Sequence, residues 1–328
     1  MPHSKLPLLA YDLQSFAAQF TPDNQGRYQL LIDKFSALLP EISSSLYEKL
    51  EPDDRHRFLM WFVKRWANID SVSQTELTEY MAVIYRVKSE QCPEIVLNDK
   101  TYKLMDLGIQ GYKAKLATYN WMLGIHDFYY DQYQHGQFRV HPGDVIIDAG
   151  AFVGDTPILF DRVTDGDCTI HAFEVLDENI SLFKFNLELN NIKSNVIINR
   201  VALGATSGTH AYVKAHALQG ATSIFGDSSG EAIEVITIDD YVDSQAISKV
   251  NLIKMDIEGA ERLALQGALK TIKRFRPRLA ICVYHLWDDV FEIPKLIAAT
   301  GVEYKFAFKW VQLLNGWEAV LLATPAEA

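Results

Sequence analysis

Acidic side chains recur where strand-like runs stop. VIIDAG carries Asp148, TIHAFEVL carries Glu174, and NLIKMDIEGAE carries Lys254, Asp256, Glu258 and Glu261. RLAICVYH ends on His285. A carboxylate can accept both hydrogen bonds of a ribose diol, face a cation, or take a proton from a hydroxyl. A histidine is neutral near pH 7 and can accept a proton. Around the first acid, VIIDAGAFVGDTPILF (145–160) supplies Gly150, Gly154, Asp155, Thr156 and Pro157. A strand that runs through glycines into a helix makes room for a nucleotide. Glu174 follows about two dozen residues later, at the end of the next strand, where a ribose-binding acid belongs.

The turn favours one class of nucleotide. A dinucleotide site uses G-x-G-x-x-G, because the pyrophosphate lies against the helix N-terminus. Here the turn is Gly150-Ala151-Phe152-Val153-Gly154, with Asp155 at the helix start. A carboxylate beside a pyrophosphate is unfavourable. S-adenosylmethionine has no phosphate; its sulfonium is cationic and its methionine end carries an amine. The sequence therefore predicts S-adenosylmethionine as cofactor, held by Asp148, Gly150, Gly154, Asp155, Thr156, Glu174 and Asp256. Asp155 or Thr156 could equally cap the helix, with Pro157 in its first turn. Two rival readings remain: an NAD-dependent sugar oxidoreductase, and a catalytically silent binding protein of methyltransferase type.

Methyl transfer is an in-line displacement at carbon, so positioning carries much of the catalysis. A hydroxyl acceptor also needs a base, which supplies about 10²–10⁴-fold. The expected base is His285, with Asp256 as the close alternative, since both end adjacent strands. Lys254, Glu258 and Ser223 are expected to face the acceptor; Ser223 lies in the small, polar stretch GATSIFGDSSG (220–230). Glu261 reads as a helix-start residue, favoured there by the helix dipole. His171 reads as a sheet residue. Asp239, Asp240, Asp256, Glu258, His285, Asp288 and Asp289 are donors enough for Mg²⁺ or Mn²⁺, but they form no compact ligand motif, and no metal is expected.

The elements that must position these groups fall into two parts. Residues 1–110 read as a helical accessory domain. YQLLIDKFSALL, LYEKLEPDDRHRFLMWFVKRWAN and TELTEYMAVIYRV carry apolar residues at three- and four-residue spacing. A hairpin around Asn98-Asp99 lies near its end. Trp61, Phe62 and Trp66 exceed what a lone surface helix can hide; acceptor binding or a homodimer through these helices would use them. Residues 111–328 read as the cofactor-binding domain. It begins with a tyrosine-rich helical connector over 111–134, after which apolar strands alternate with helices, the pattern of an open, mainly parallel α/β sheet.

VIIDAGAFVGDTPILF, HAFEVLDEN, VALG, TIDDYV and NLIKMDIEGAE occur in that order. Together they resemble the FkbM family of S-adenosylmethionine-dependent methyltransferases, over roughly 140–325. The resemblance implies a class I methyltransferase fold: a Rossmann-like, seven-stranded, mainly parallel sheet with its last strand antiparallel. It implies O-methylation of a small-molecule or glycan hydroxyl, and it places Ala202, in VALG, at the cofactor. The first 110 residues carry no motif of the family.

The 328 residues bear a formal net charge of −11 and a pI of about 5.3. Such a surface repels phosphate backbones, so nucleic acid is not an expected partner. Cys92, Cys168 and Cys282 form no C-x-x-C pair and point to reduced thiols in the cytoplasm. No apolar run reaches the roughly 20 residues of a membrane span, so no integral membrane segment is expected.

Overall fold

The structure, a computed structural model, describes residues 6–215, 222–223 and 230–326. Five helices come first: α1 (Leu8–Ala17), α2 (Pro22–Phe35), α3 (Leu39–Ser45), α4 (Pro52–Ala67) and α5 (Gln74–Ser89). Thr21 and Ser73 cap α2 and α5 by accepting the N–H groups of Asn24 and Glu76. Prolines stand in the first turns of α2, α3 and α4, where no N–H is needed.

β1 (Glu94–Leu97) and β2 (Lys100–Asp106) pair antiparallel around Asn98 and Asp99, both at positive φ, as a two-residue hairpin requires. β3 (Lys115–Thr118) adds to β2. The helical connector expected over 111–134 does not form. That stretch holds β3, turns and a five-residue π-helical turn, Ile125–Tyr129. Gly111 and Gly124 take positive φ, which interrupts a helix, and Lys115–Thr118 gains more by pairing with β2.

Strands and helices then alternate. β4 (Asp144–Ala149), α6 (Asp155–Thr164), β5 (Cys168–Phe173), α7 (Asp177–Leu189) and β6 (Asn195–Asn199) build one flank. β7 (Ala202–Leu203), β8 (Thr209–Ala215), β9 (Thr222–Ser223) and β10 (Glu231–Ile236) form a small separate sheet, followed by α8 (Ile238–Ser244). β11 (Leu252–Met255), α9 (Glu261–Gln266), α10 (Leu269–Phe275), β12 (Arg278–Cys282), α11 (Asp289–Ala299), β13 (Tyr304–Trp310) and β14 (Ala319–Pro325) complete the other flank. The main sheet has seven strands in the order β13-β14-β12-β11-β4-β5-β6. β14 is antiparallel to both neighbours, while β6, β5, β4, β11 and β12 run parallel. This is the mainly parallel sheet with a reversed last strand that the resemblance implies. Strand order switches direction between β4 and β11, so their carboxyl ends open the crevice in which such sheets bind ligands.

α4 covers β13. The rings of Phe58 and Trp61 lie 5.2 Å from that of Phe308, and Trp61 donates its indole N–H to Gly316 O at 2.8 Å. Phe58, Trp61 and Phe62 are wholly buried within this one chain, and Trp66 is half-buried. The aromatic crowding on α4 thus serves the seam between the N-terminal helices and the sheet. Among the described residues, no helix is long and apolar enough to cross a membrane.

Candidate functional site

A cavity of about 340 Å³ opens over the carboxyl ends of β4, β5 and β11. Its floor begins at the turn after β4. Gly150 has φ +79°, and a Cβ there would lie 1.8 Å from the carbonyl oxygen of Asp256. Gly154 has φ +85°, and a Cβ there would lie 2.2 Å from the Phe183 ring. Both glycines let backbone approach neighbouring groups closer than any side chain permits.

Asp148 is fully buried behind this turn and does not line the cavity. It accepts the Thr156 hydroxyl at 2.7 Å and lies 3.2 Å from the Lys254 ammonium, its register partner on β11. Lys254 also donates to Gly150 O at 2.6 Å. Burial works against the Lys254 charge, but Asp148, Asp256 and Asp155 outweigh it and hold its pKa above the usual lysine value. Asp148, Thr156 and Lys254 therefore brace the turn. Lys254 reaches the cavity wall, yet its charge is committed to the turn.

Gly150, Asp155, Glu174, Ala202, Asp256 and Glu258 do line the cavity, whereas Gly154, Thr156 and His285 stand behind its surface. Glu174 accepts the N–H groups of Val175 and Leu176 through one oxygen, at 2.7 and 2.8 Å. Burial pushes its carboxyl up to about 7. Burial likewise pushes Asp155 up to about 6, and burial with Asp155 alongside holds Asp127 protonated well above the usual range. Two buried carboxyls close together disfavour a second charge in this way. The Oδ1 of Asp155 is buried and has no hydrogen-bond partner among the described residues. Ser223 stands on β9, paired with Lys214. Its side chain, and most of the 220–230 stretch around it, lie outside the described residues.

The opposite wall comes from parts of the chain that carry no recognisable motif. Tyr80 of α5 donates its hydroxyl to Gln312 at 2.7 Å. Asp256 accepts the hydroxyls of Tyr133 and Tyr284 at 2.8 and 3.1 Å. Tyr284 also lies 3.4 Å from Glu318, which takes the Gln132 amide at 2.8 Å. Burial pushes Glu318 up to about 7. Glu318 was not anticipated from the sequence. The signal was there: it opens the antiparallel strand β14, and the start of a reversed strand lies on the same edge as the ends of its parallel neighbours. Phe152, Glu258 and Glu318 all take left-handed φ, at 46°, 56° and 57°, and all three line this cavity. Backbone strain of this kind collects at functional sites.

His285 is packed among acids. Its Nδ1 is 3.0 Å from Glu261, and its Nε2 is 3.4 Å from Glu258 and 3.6 Å from Asp256. Burial disfavours its charge, yet Glu261, Glu258 and Asp256 outweigh burial and hold its pKa well above the usual histidine value. A free neutral base at pH 7, as the sequence suggested, is not what this surrounding provides.

Residues 148–310 match the family model described as the methyltransferase FkbM domain. The chain carries an FkbM methyltransferase domain. A solved methyltransferase FkbM from Methylobacillus flagellatus KT is 22% identical, with a TM-score of 0.47 over 61% of this chain and 52% of that one. This chain thus spans about half the length of that relative. Fibrillarin from Aeropyrum pernix, solved with bound S-adenosyl-L-methionine, is 11% identical, with a TM-score of 0.38 over 73% of this chain and 86% of that one. A methyltransferase from Pyrococcus furiosus is 15% identical, with a TM-score of 0.38 over 66% and 91%. At these scores none of the three bears on individual site residues. No curated protein sequence matches the chain.

Proposed function

We propose that this FkbM-type protein is an O-methyltransferase that uses S-adenosylmethionine and methylates a hydroxyl of an uncharged, sugar-like acceptor in the same cavity. One observation carries the reading. Among the described residues, the cavity wall holds Asp127, Asp155, Glu174, Asp256, Glu258 and Glu318 against a single lysine, Lys254, whose charge is already engaged. Even with Asp127 protonated, such a wall carries surplus negative charge, which suits a sulfonium and an amine and disfavours a pyrophosphate. In this reading Glu174 takes the ribose diol, Ala202 meets the adenine face, and Asp155, whose Oδ1 has no hydrogen-bond partner among the described residues, takes the methionine amine.

When bound, the cofactor supplies an electrophilic methyl carbon. The chain's own part is to hold the acceptor oxygen in line with that carbon and to take its proton. In this reading Glu318, on the cavity and beside Tyr284 and Gln132, accepts that proton. Trp121 and Phe152, both on the cavity wall and backed by the buried Tyr119 ring, offer apolar ring surface to a sugar. Residues 1–110 act as an accessory unit whose Tyr80 and Ile84 complete the acceptor side. Cys92, Cys168 and Cys282 are unpaired, which supports a reducing, cytoplasmic setting.

The acceptor class is tested with methyl-labelled donor and two pools, neutral glycosides and their phosphorylated counterparts. Label is expected in the neutral pool alone. Label confined to the phosphorylated pool would overturn the acceptor class.

A further inference from the structure

We propose that Asp256, Glu261 and His285 form a binding site for one divalent transition-metal cation, of the Mn²⁺ type, at the rear wall of the cavity. The inference stands on the side chains alone and does not depend on the methyl-transfer reading.

Each of the three residues offers one ligand atom, and these atoms lie within 4.8 Å of one another. Ligands about 2.0–2.3 Å from a common ion are at most about 4–4.6 Å apart, so a small inward adjustment closes the set. They come from three neighbouring places: the residue after β11, the start of α9 and the bend that follows β12, with β11 and β12 paired in parallel. Glu258 and Gly259 take φ of 56° and 98° and fold the chain back, so that Glu261 faces His285.

Glu261 supplies the second, independent observation. Its side chain is fully buried. One oxygen takes the Ile257 N–H at 2.8 Å, but Oε2 has no hydrogen-bond partner among the described residues. A buried carboxylate oxygen left bare is costly. Arg262 does not relieve it, because its guanidinium turns away to Asp288 and Asp289. The His285 nitrogens stand 3.0–3.6 Å from three carboxylates without completing a hydrogen bond among the described residues. That is the spacing of neighbouring ligands around an ion. Asp256, Glu258 and Glu261 also bring three negative charges to one imidazole, an excess that a dication offsets.

Two carboxylates and an imidazole suit Mn²⁺, Fe²⁺ or Zn²⁺ better than Ca²⁺, which prefers oxygen throughout. Asp256 lines the cavity, so the ion would present an open face to it, and a hydroxyl bound there would ionise more readily. Neither Glu261 nor the trio was legible as a ligand set in the sequence, because the residues lie five and twenty-four positions apart without a recurring spacing.

The test is a titration of the full-length, chelator-treated protein with MnCl₂, without cofactor or acceptor, followed by electron paramagnetic resonance of the free ion. The expected result is one saturable site per chain, with a pulsed-resonance ¹⁴N coupling from an imidazole. His285→Ala and Glu261→Gln are expected to weaken binding by at least about 10- to 100-fold, the range that loss of a supporting partner alone produces. The ¹⁴N coupling needs no variant, so it decides the matter even where a variant fails to fold. Absence of saturable Mn²⁺ binding by the wild-type chain would overturn the site and leave His285 as a protonated counter-ion. Binding without ¹⁴N coupling and unchanged in His285→Ala would overturn it equally.

Discussion

Glu174→Ala is expected to weaken S-adenosylmethionine by about 5- to 150-fold, because ribose hydroxyls left unpaired in a closed site cost about 1–3 kcal/mol. The chain is built to spend that side chain on a ligand: one oxygen is fixed by the Val175 and Leu176 N–H groups, on a carboxyl at the cavity surface. The same residue sets a pH dependence. Burial raises its folded pKa from the ordinary 4.5 to about 7, and the diol is bound by the ionised form. Affinity therefore rises with pH through about 7, and binding at pH 6 is expected to be about tenfold weaker than at pH 8. The stability term has the opposite sense. Between 4.5 and 7 the folded apo chain holds more protons at this site than the unfolded one, so this contribution is present at low pH and fades as pH rises through 7. Glu174→Gln is expected to lose the pH dependence along with the affinity. Calorimetry at the two pH values checks both, and unchanged affinity in Glu174→Ala would take this residue out of the ribose role.

Lys254→Met is expected to destabilise the fold by about 3–5 kcal/mol, the cost of stranding a buried charge by removing its partner. Asp148 is wholly buried, and Lys254 is the cation at 3.2 Å from it. The same ammonium holds Gly150 O, so the variant also loosens the cofactor turn. Denaturant unfolding measures the loss. Lys254→Met combined with Asp148→Asn is expected to recover part of it, since the stranded charge goes with its partner. A loss below about 1 kcal/mol in the single variant would show that the pair is not stabilising as described.

The sheet was legible because its signals are local. Apolar runs ended by acids gave the strands and their carboxyl edge, and the Gly150 and Gly154 turn gave the crevice. Glu174 and Asp256 then follow from position at strand ends. Side-chain direction was not legible. Asp148 ends a strand as expected, yet points inward to Thr156 and Lys254, because β4 and β11 bring Asp148 and Lys254 into register. The 111–134 stretch was misread because its apolar and tyrosine residues fit a helical spacing, whereas Gly111 and Gly124 decide the backbone. Glu318 and Tyr80 reach the cavity only through tertiary packing, from a reversed strand and from a helix more than two hundred residues away in sequence. His285 was found by its strand-end position, but its company of Glu258 and Glu261 depends on the left-handed turn between β11 and α9.

The acid-lined crevice is expected to take the adenosyl sulfonium cofactor. Calorimetric titration of the full-length protein with S-adenosylhomocysteine, and separately with NAD⁺, tests this. The expected result is one site per chain for S-adenosylhomocysteine and no heat of binding for NAD⁺. Saturable binding of NAD⁺ with none of S-adenosylhomocysteine would contradict the claim and turn the crevice into a dinucleotide site.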